Sequence, residues 1–455
     1  MGAPSMSDRP PRIAKFLTPG RAVLLALGVL LLAFVLACYI TGARFAAEVE
    51  EIKRRGEPVR VSELLPKVPP GQPNAADLYE QAFAVAPSSQ DVNNAFENLG
   101  HWTPQERAAA EHLVATHPDY YDLLDRASRV QVCAFSVNWD DGFLVDQPYL
   151  GGMRDARVTL AVKAQVQALD GDLDDAAGTC STLLRLAEHD RQSPLLSDLG
   201  TATGHHAMAV RELSRLLALG DPSPPLCRTL YAQLAKPDWP AAFVRMLKAE
   251  RARGLAALTQ VDRGLLFRSS GDEGVGVVWQ ARAYPFVARP WYNGDKTAYL
   301  RTMERQIEAY RMPWAQASQR LRQTDEETDT GPAHAAITRL LLIQVCHLRF
   351  TAARTAAQDG AAQIALALTV YHHDHGAYPA SLAELARAGW KLPLDPFTQK
   401  PYHYRREGKG LPSGASAPTS PTTTPPPTTR TYSAQASPAT TTSSGARGSG
   451  LERGR

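Results

Sequence analysis

Residues 22–40 read AVLLALGVLLLAFVLACYI, a run without a single charge. At ~1.5 Å rise per residue a helix of this length crosses roughly the 30 Å hydrocarbon layer of a bilayer, and a soluble core helix is seldom apolar on every face. The run therefore reads as a transmembrane anchor, with the lipid bilayer as its partner through Ala22 to Ile40. Residues 1–21 precede it and carry Arg9, Arg12, Lys15 and Arg21 against the single Asp8. After it, Arg44, Lys53, Arg54 and Arg55 alternate with Glu48, Glu50, Glu51 and Glu57. The excess of cations on the N-terminal side places residues 1–21 in the cytoplasm, and the bulk of the chain outside the cytoplasmic (inner) membrane.

Two processed forms compete with an uncleaved anchor. A signal peptide has an apolar region of ~7 to 15 residues and a small-x-small cleavage site, and Thr41-Gly42-Ala43 is a poor version of one. Val35-Leu36-Ala37-Cys38 resembles a bacterial lipoprotein box, in which Cys38 would be lipidated and become the mature N-terminus. Both alternatives leave the remaining chain extracytoplasmic.

The net charge is +3 over 455 residues, and no segment gathers Lys and Arg without acids beside them, which argues against nucleic acid as a ligand. Cys133, Cys180, Cys227 and Cys346 are far apart and form no Cys-x-x-Cys pair. Their spacing speaks against a disulfide scaffold or a zinc ribbon; one or two long-range disulfides stay open in an oxidising compartment, and the apolar context of each cysteine favours a buried free thiol.

Beyond the anchor the periodicity is helical almost throughout. It predicts helices over 45–55, 74–85, 103–116, 119–128, 154–168, 174–190, 194–219, 224–235, 240–261 and 296–322, the last kinked at Pro313. Thr103-Pro104-Gln105-Glu106 has the signature of a capping box. Residues 268–288 lack a clean period and read as an exposed loop. Leu340 to Phe350 is too short and too interrupted by Gln344, His347 and Arg349 to cross a membrane, so it reads as a core helix. After Gly410 the sequence turns to Pro, Thr, Ser, Ala and Gly, and 411–455 reads as disordered. The tail is either a genuine stalk or the product of a frame shift. The fold class is mainly α, with a helical-hairpin ectodomain over 41–332, a long helix and a smaller unit over 333–410, and the tail.

Candidate motifs are few. Asp170, Asp172 and Asp174 alternate as in a calcium loop, but Asp175 stands where that loop needs glycine and Ser181 where it needs glutamate. The segment Gly171 to Ala176 looks more like the turn of a tetratricopeptide helix pair. His372, His373, Asp374 and His375 suggest a metal cluster, yet only 372 and 375 share a helix face, and histidines before Gly376 suit a helix C-terminus. His205-His206 has no partner at ligand spacing, and Trp139-Asp140-Asp141 reads as a solvated turn. Gly271, Gly274 and Gly276 are in the wrong order for a dinucleotide loop. No serine elbow or zinc-protease motif is present, so no catalytic, cofactor-binding or metal residue is assigned.

Near the C-terminus, Tyr371-His372-His373-Asp374-His375-Gly376-Ala377-Tyr378-Pro379 is followed by Leu392-Pro393-Leu394-Asp395-Pro396-Phe397 and Pro401-Tyr402-His403-Tyr404. This ending resembles the body of the type II secretion major pseudopilin, and the whole chain resembles larger membrane-anchored bacterial envelope proteins. The resemblance implies a small α+β unit, with Tyr402 and Tyr404 on one face of a strand. It does not extend to the pseudopilin processing site, because no glutamate follows Gly20-Arg21 as that site requires, or to the family's calcium loop. The function these observations favour is a non-enzymatic scaffold or interaction module with envelope protein partners. The alternatives are an accessory component of a type II secretion or pilus-like assembly, and an envelope enzyme whose site is assembled from distant residues.

Overall fold

The computed structural model describes residues 19–139, 141, 142, 145–263, 287–330, 338, 341, 342 and 345–406. The first helix, α1, runs from Pro19–Arg54, about 54 Å at the standard rise. Its first half keeps most of the apolar side chains from Val23 to Ile40 exposed, and its first buried residue is Ile52. A glycine in the left-handed region ends it. Gly56 has φ +68, its N–H donates to the Lys53 carbonyl at 2.8 Å, and the Glu57 N–H donates to that of Ile52 at 3.1 Å. These two bonds satisfy carbonyls that the helix end leaves open.

A single 3₁₀ turn, Val61–Leu64, leads into four short helices: α2 (Ala75–Ala84), α3 (Ser89–Phe96), α4 (Pro104–Thr116) and α5 (Pro118–Arg129). Asn74, Ser88 and Thr103 cap the first three through their side chains, and Thr103 with Glu106 completes the capping box. The sequence pattern did not announce α3. Longer helices follow: α6 (Tyr149–Asp170), α7 (Leu173–Asp190), α8 (Leu196–Leu219), α9 (Pro224–Ala235) and α10 (Trp239–Asp262). Then come α11 (Arg289–Tyr310), α12 (Trp314–Thr330), α13 (Val345–His375) and α14 (Leu382–Arg387).

Helices α6 and α7 form a hairpin through Gly171, whose φ of +88 makes the tight reversal accessible. They pack with α8 around Met153, Leu160, Leu183, Leu186 and Leu213, and α2 to α5 cover the same core with Tyr79, Tyr120 and Leu124. A second core gathers Trp239, Phe243, Met246 and Leu247 of α10 with Tyr299, Met303, Ile307 and Tyr310 of α11, and Ile52 of α1 joins it. Helices α10 and α11 approach closely because residue 254 is glycine: a Cβ there would overlap the Tyr299 hydroxyl, which donates to the Glu250 carbonyl at 3.0 Å.

One long kinked helix over 296–322 is not what forms. Pro313 separates α11 from α12, because it lacks an N–H and its ring obstructs the preceding turn; its carbonyl then accepts from the Ala317 N–H as α12 begins. Residues 345–350 are helical and form the start of α13, with Leu348 packed against the second core and Phe350 partly exposed against Trp314 and Phe397.

The C-terminal segment folds back onto α13. Gly376, at φ +73, ends that helix, and Ser381 caps α14. Among the described residues there is no strand, and one antiparallel bridge joins Leu394 to Pro401. Asp395 organises the turn between them, accepting from the Phe397 N–H at 3.0 Å and the Thr398 hydroxyl at 2.7 Å. The Tyr402 hydroxyl donates to the Ala357 carbonyl at 2.9 Å, a seat kept open by Gly360. Residues 1–18, most of the predicted loop at 268–288, the 333 boundary, Asp140 and the tail at 411–455 lie outside the described residues.

Candidate functional site

Two places concentrate polar chemistry: the junction where α1 meets the body, and a cavity beneath residues 133–139. At the junction α1 lies along α11. The Asn293 side-chain amide is 3.4 Å from both the Cys38 carbonyl and the Thr41 hydroxyl, Arg301 donates to Glu48 at 2.7 Å, and Arg55 donates to Glu304 at 2.7 Å. Between these pairs Phe45, Val49 and Ile52 pack into the second core. Arg251 is fully buried and bridges Glu57 at 2.8 Å to Glu304 at 2.9 Å, and Lys248 adds a second pair to Glu57 at 3.0 Å. Burial alone would raise the Glu57 carboxyl, but Lys248 and Arg251 outweigh it and hold the group below its ordinary range. Lys296 is buried at the same junction, 4.6 Å from the Phe45 ring centroid and 3.2 Å from Asp262; loss of solvent lowers its pKa. A groove of about 880 Å³ opens along this seam, lined by Thr41, Arg44, Thr297, Arg301, Arg305 and Glu308 among others.

The cavity measures about 260 Å³, and Phe135, Trp139, Tyr149, Asp190 and Asp198 contribute to its walls. Asp198 sits in the first turn of α8, fully buried. It accepts from the Tyr149 hydroxyl at 2.5 Å and the Gln147 amide at 2.7 Å. Burial pushes its carboxyl up to about 6 despite those bonds. His189 has both nitrogens engaged, at 2.8 Å from the Tyr79 hydroxyl and 2.7 Å from the Val130 carbonyl. A carbonyl only accepts, so Nε2 carries the proton and Nδ1 takes the Tyr79 hydrogen. Burial lowers the pKa of this imidazole and raises that of the Cys133 thiol well above its ordinary value. Neither group is available as base or nucleophile. What the cavity can do is hold a proton at Asp198 up to about pH 6, above the range of an ordinary carboxyl.

No family model, curated protein or solved structure matches the chain. Its chemistry is therefore read from its own geometry. The histidines singled out in the sequence diverge: His372 stacks on Tyr378 at 4.4 Å, His375 stacks on Tyr371 at 4.0 Å, and Asp374 pairs with Arg228 at 3.2 Å. Among the described residues no group of three or more His, Cys, Asp or Glu is placed to hold a metal ion. Asp170 pairs with Arg107 at 2.6 Å, and Asp174 accepts from the Ser223 N–H at 2.7 Å, so each is engaged elsewhere than in a shared loop.

His205 and His206 are fully buried and point to different partners. His205 Nδ1 lies 2.9 Å from Asp190, and His206 Nδ1 lies 3.3 Å from Asp359, which also accepts from the Trp239 indole at 2.7 Å. Cys133, Cys180 and Cys227 are buried free thiols, and Cys38 is a half-buried one. Sequence reasoning missed Asp198, Arg251 and Asp359. Their signal is a charged residue on the buried face of an amphipathic helix, as where Asp359 follows the alanine-rich turn 352–357.

Proposed function

We propose that the chain is a single-pass, membrane-anchored helical scaffold or interaction module of the bacterial envelope, with a cytoplasmic N-terminus and an extracytoplasmic body. The observation that carries this reading is the continuity of α1. Its exposed apolar half passes without a break into a half that Glu48–Arg301 and Arg55–Glu304 lock to the body, so the same helix serves as anchor and structural element. The cationic N-terminal flank supports the orientation. Lipidation at Cys38 would keep the docked half in place and change only the type of anchor.

C-terminal fusions to alkaline phosphatase and to green fluorescent protein test the topology, and alkaline carbonate extraction tests the anchor. The expected result is phosphatase activity, no fluorescence and retention in the membrane pellet. Fluorescence of the fusion or release by carbonate would overturn the reading. The mass of the mature protein separates an intact N-terminus from one beginning at Cys38.

A second reading, an accessory factor of a secretion or pilus-like assembly, draws on the C-terminal segment. Tyr402 and Tyr404, within the segment that carries the pseudopilin resemblance, dock it onto α13 and the Pro379 carbonyl. Co-purification with pseudopilins in mild detergent supports this reading, and absence from such complexes counts against it. The α6–α7 hairpin is proposed as tetratricopeptide-like on the same footing.

A further inference from the structure

Helices α1 and α11 run parallel. Asn293 reaches Cys38 and Thr41, Arg301 reaches Glu48, and Glu304 receives Arg55, each pair separated by 249 to 255 positions. Carried back by the same offset, Trp291 falls level with Tyr39, and Val287 lies just ahead of α11, before the cap at Ala288. Trp291 is 55% exposed, Tyr39 74% and Val287 72%. Two exposed aromatic rings thus stand at one height, on two helices, where the apolar segment ends. This is the position at which Trp and Tyr concentrate in membrane proteins, their rings among the headgroups.

The charges at this height fit the same surroundings. Asp262, at the end of α10, is paired with both Arg289 at 3.0 Å and Lys296 at 3.2 Å, so this carboxylate is compensated by two cations, and Asp295, one turn beyond Trp291, is buried and accepts from the Thr338 N–H at 3.1 Å. Arg44, one turn beyond the apolar run, is exposed and lines the groove that opens at headgroup height.

Resting on the anchor reading above, we infer that the body itself touches the bilayer, inserting Trp291 in the first turn of α11, with Val287 just ahead of that helix, into the interface beside Tyr39. The partner is a lipid surface, and the cation excess at this level favours anionic headgroups. The anchor then fixes height and the α11 contact fixes tilt.

The test uses the full chain reconstituted in phosphatidylethanolamine–phosphatidylglycerol vesicles that contain tail-labelled phosphatidylglycerol. Photoreactive benzoylphenylalanine is placed at position 39, 291 or 236. Lys236 precedes α10, whose other end carries Asp262, so its site lies about 35 Å from the aromatic level at the standard helical rise. Lipid adducts are expected at 39 and 291 and none above background at 236. Adducts at 39 without 291 overturn this inference and leave the anchor standing, and none at either site overturns both. Adducts at 291 without 39 support the surface contact and overturn the anchor. Equal labelling at 236 removes the specificity and overturns the inference. Should a photoreactive variant misfold, Trp291→Phe gives an independent reading: the bromolipid-quenchable part of the tryptophan emission drops if Trp291 contributes to it, and an unchanged quenchable part overturns the inference.

Discussion

Asp198 is the residue whose protonation the fold alters most usefully for experiment. Its carboxyl titrates at 3.8 in the ordinary state and at about 6 when buried against Tyr149 and Gln147. Between those values the native state binds a proton that the unfolded chain has released, so stability falls as pH rises through this window and levels off above it. The full effect is roughly 3 kcal/mol. Asp198→Asn keeps an acceptor for Tyr149 and removes the titration, so its melting temperature is expected to lose the decline that the parent shows from pH 4 to 6. A variant that retains the same slope assigns the titration to another group.

Asp359 gives a second residue-scale expectation. Asp359→Ala strips the Trp239 indole of its carboxylate acceptor inside the core, at a cost of ~1–3 kcal/mol, and Trp239→Phe is expected to cost less when added to it than when made alone. Additive losses in chemical denaturation would show that the two residues do not act as a pair. Neither residue was legible in the chain. Charges on buried helix faces look like solvated ones until the packing partner is known, and Asp359 lies 120 positions from Trp239.

Among elements, the contact between α1 and the α10–α11 pair is held by charge as well as packing. Arg251 is fully buried between two carboxylates, and Arg251→Ala leaves Glu57 and Glu304 facing each other without it. A loss of ~3–5 kcal/mol is expected, with faster proteolysis around residues 54–58. The triple change Arg251→Met, Glu57→Gln, Glu304→Gln is expected to recover part of that stability, because it removes the buried guanidinium together with the two carboxylates facing it while Lys248 and Arg55 lose their partners. Equal instability of the triple variant would show that the ion cluster itself holds the helices.

Element boundaries were legible where local chemistry sets them: the Thr103 capping box and the helix end at Gly376 were both visible as residue types at fixed offsets. The break at Pro313 was visible as a disturbance but misjudged in degree. A kink requires neighbours that hold both halves in line, and here α12 leaves in a direction that α13 stabilises. The expected small sheet depended on a partner segment after Tyr404, and only the bridge at Leu394 and Pro401 is seen among the described residues.

For the molecule as a whole, the docked half of α1 belongs to the body. A chain beginning at Cys38 keeps Phe45, Val49 and Ile52 in the second core, and it is expected to be soluble and to melt close to the parent. One beginning at Val59 uncovers the α11 face that those side chains protect, so it is expected to melt lower and to aggregate in gel filtration. Matching behaviour of the two truncations would place the body boundary after residue 58 instead.

The class of fold was readable because helical period and an uninterrupted apolar run are local signals. The cavity around Asp198 was not. It is built by α6, α7, α8 and the strip 133–139, and no short stretch of sequence records which of their faces converge.

The absence of a flexible stretch between Ile40 and Arg54 sets how the protein meets anything else. A body on a loose tether sweeps a volume whose size grows with tether length, and its partners arrive at many heights and orientations. A body mounted on an unbroken helix explores mainly lateral position and rotation about one axis. On the anchor reading proposed above, encounters with other proteins of the same membrane become a search in two dimensions at one fixed height. Only partners that present a matching surface at that height are met productively.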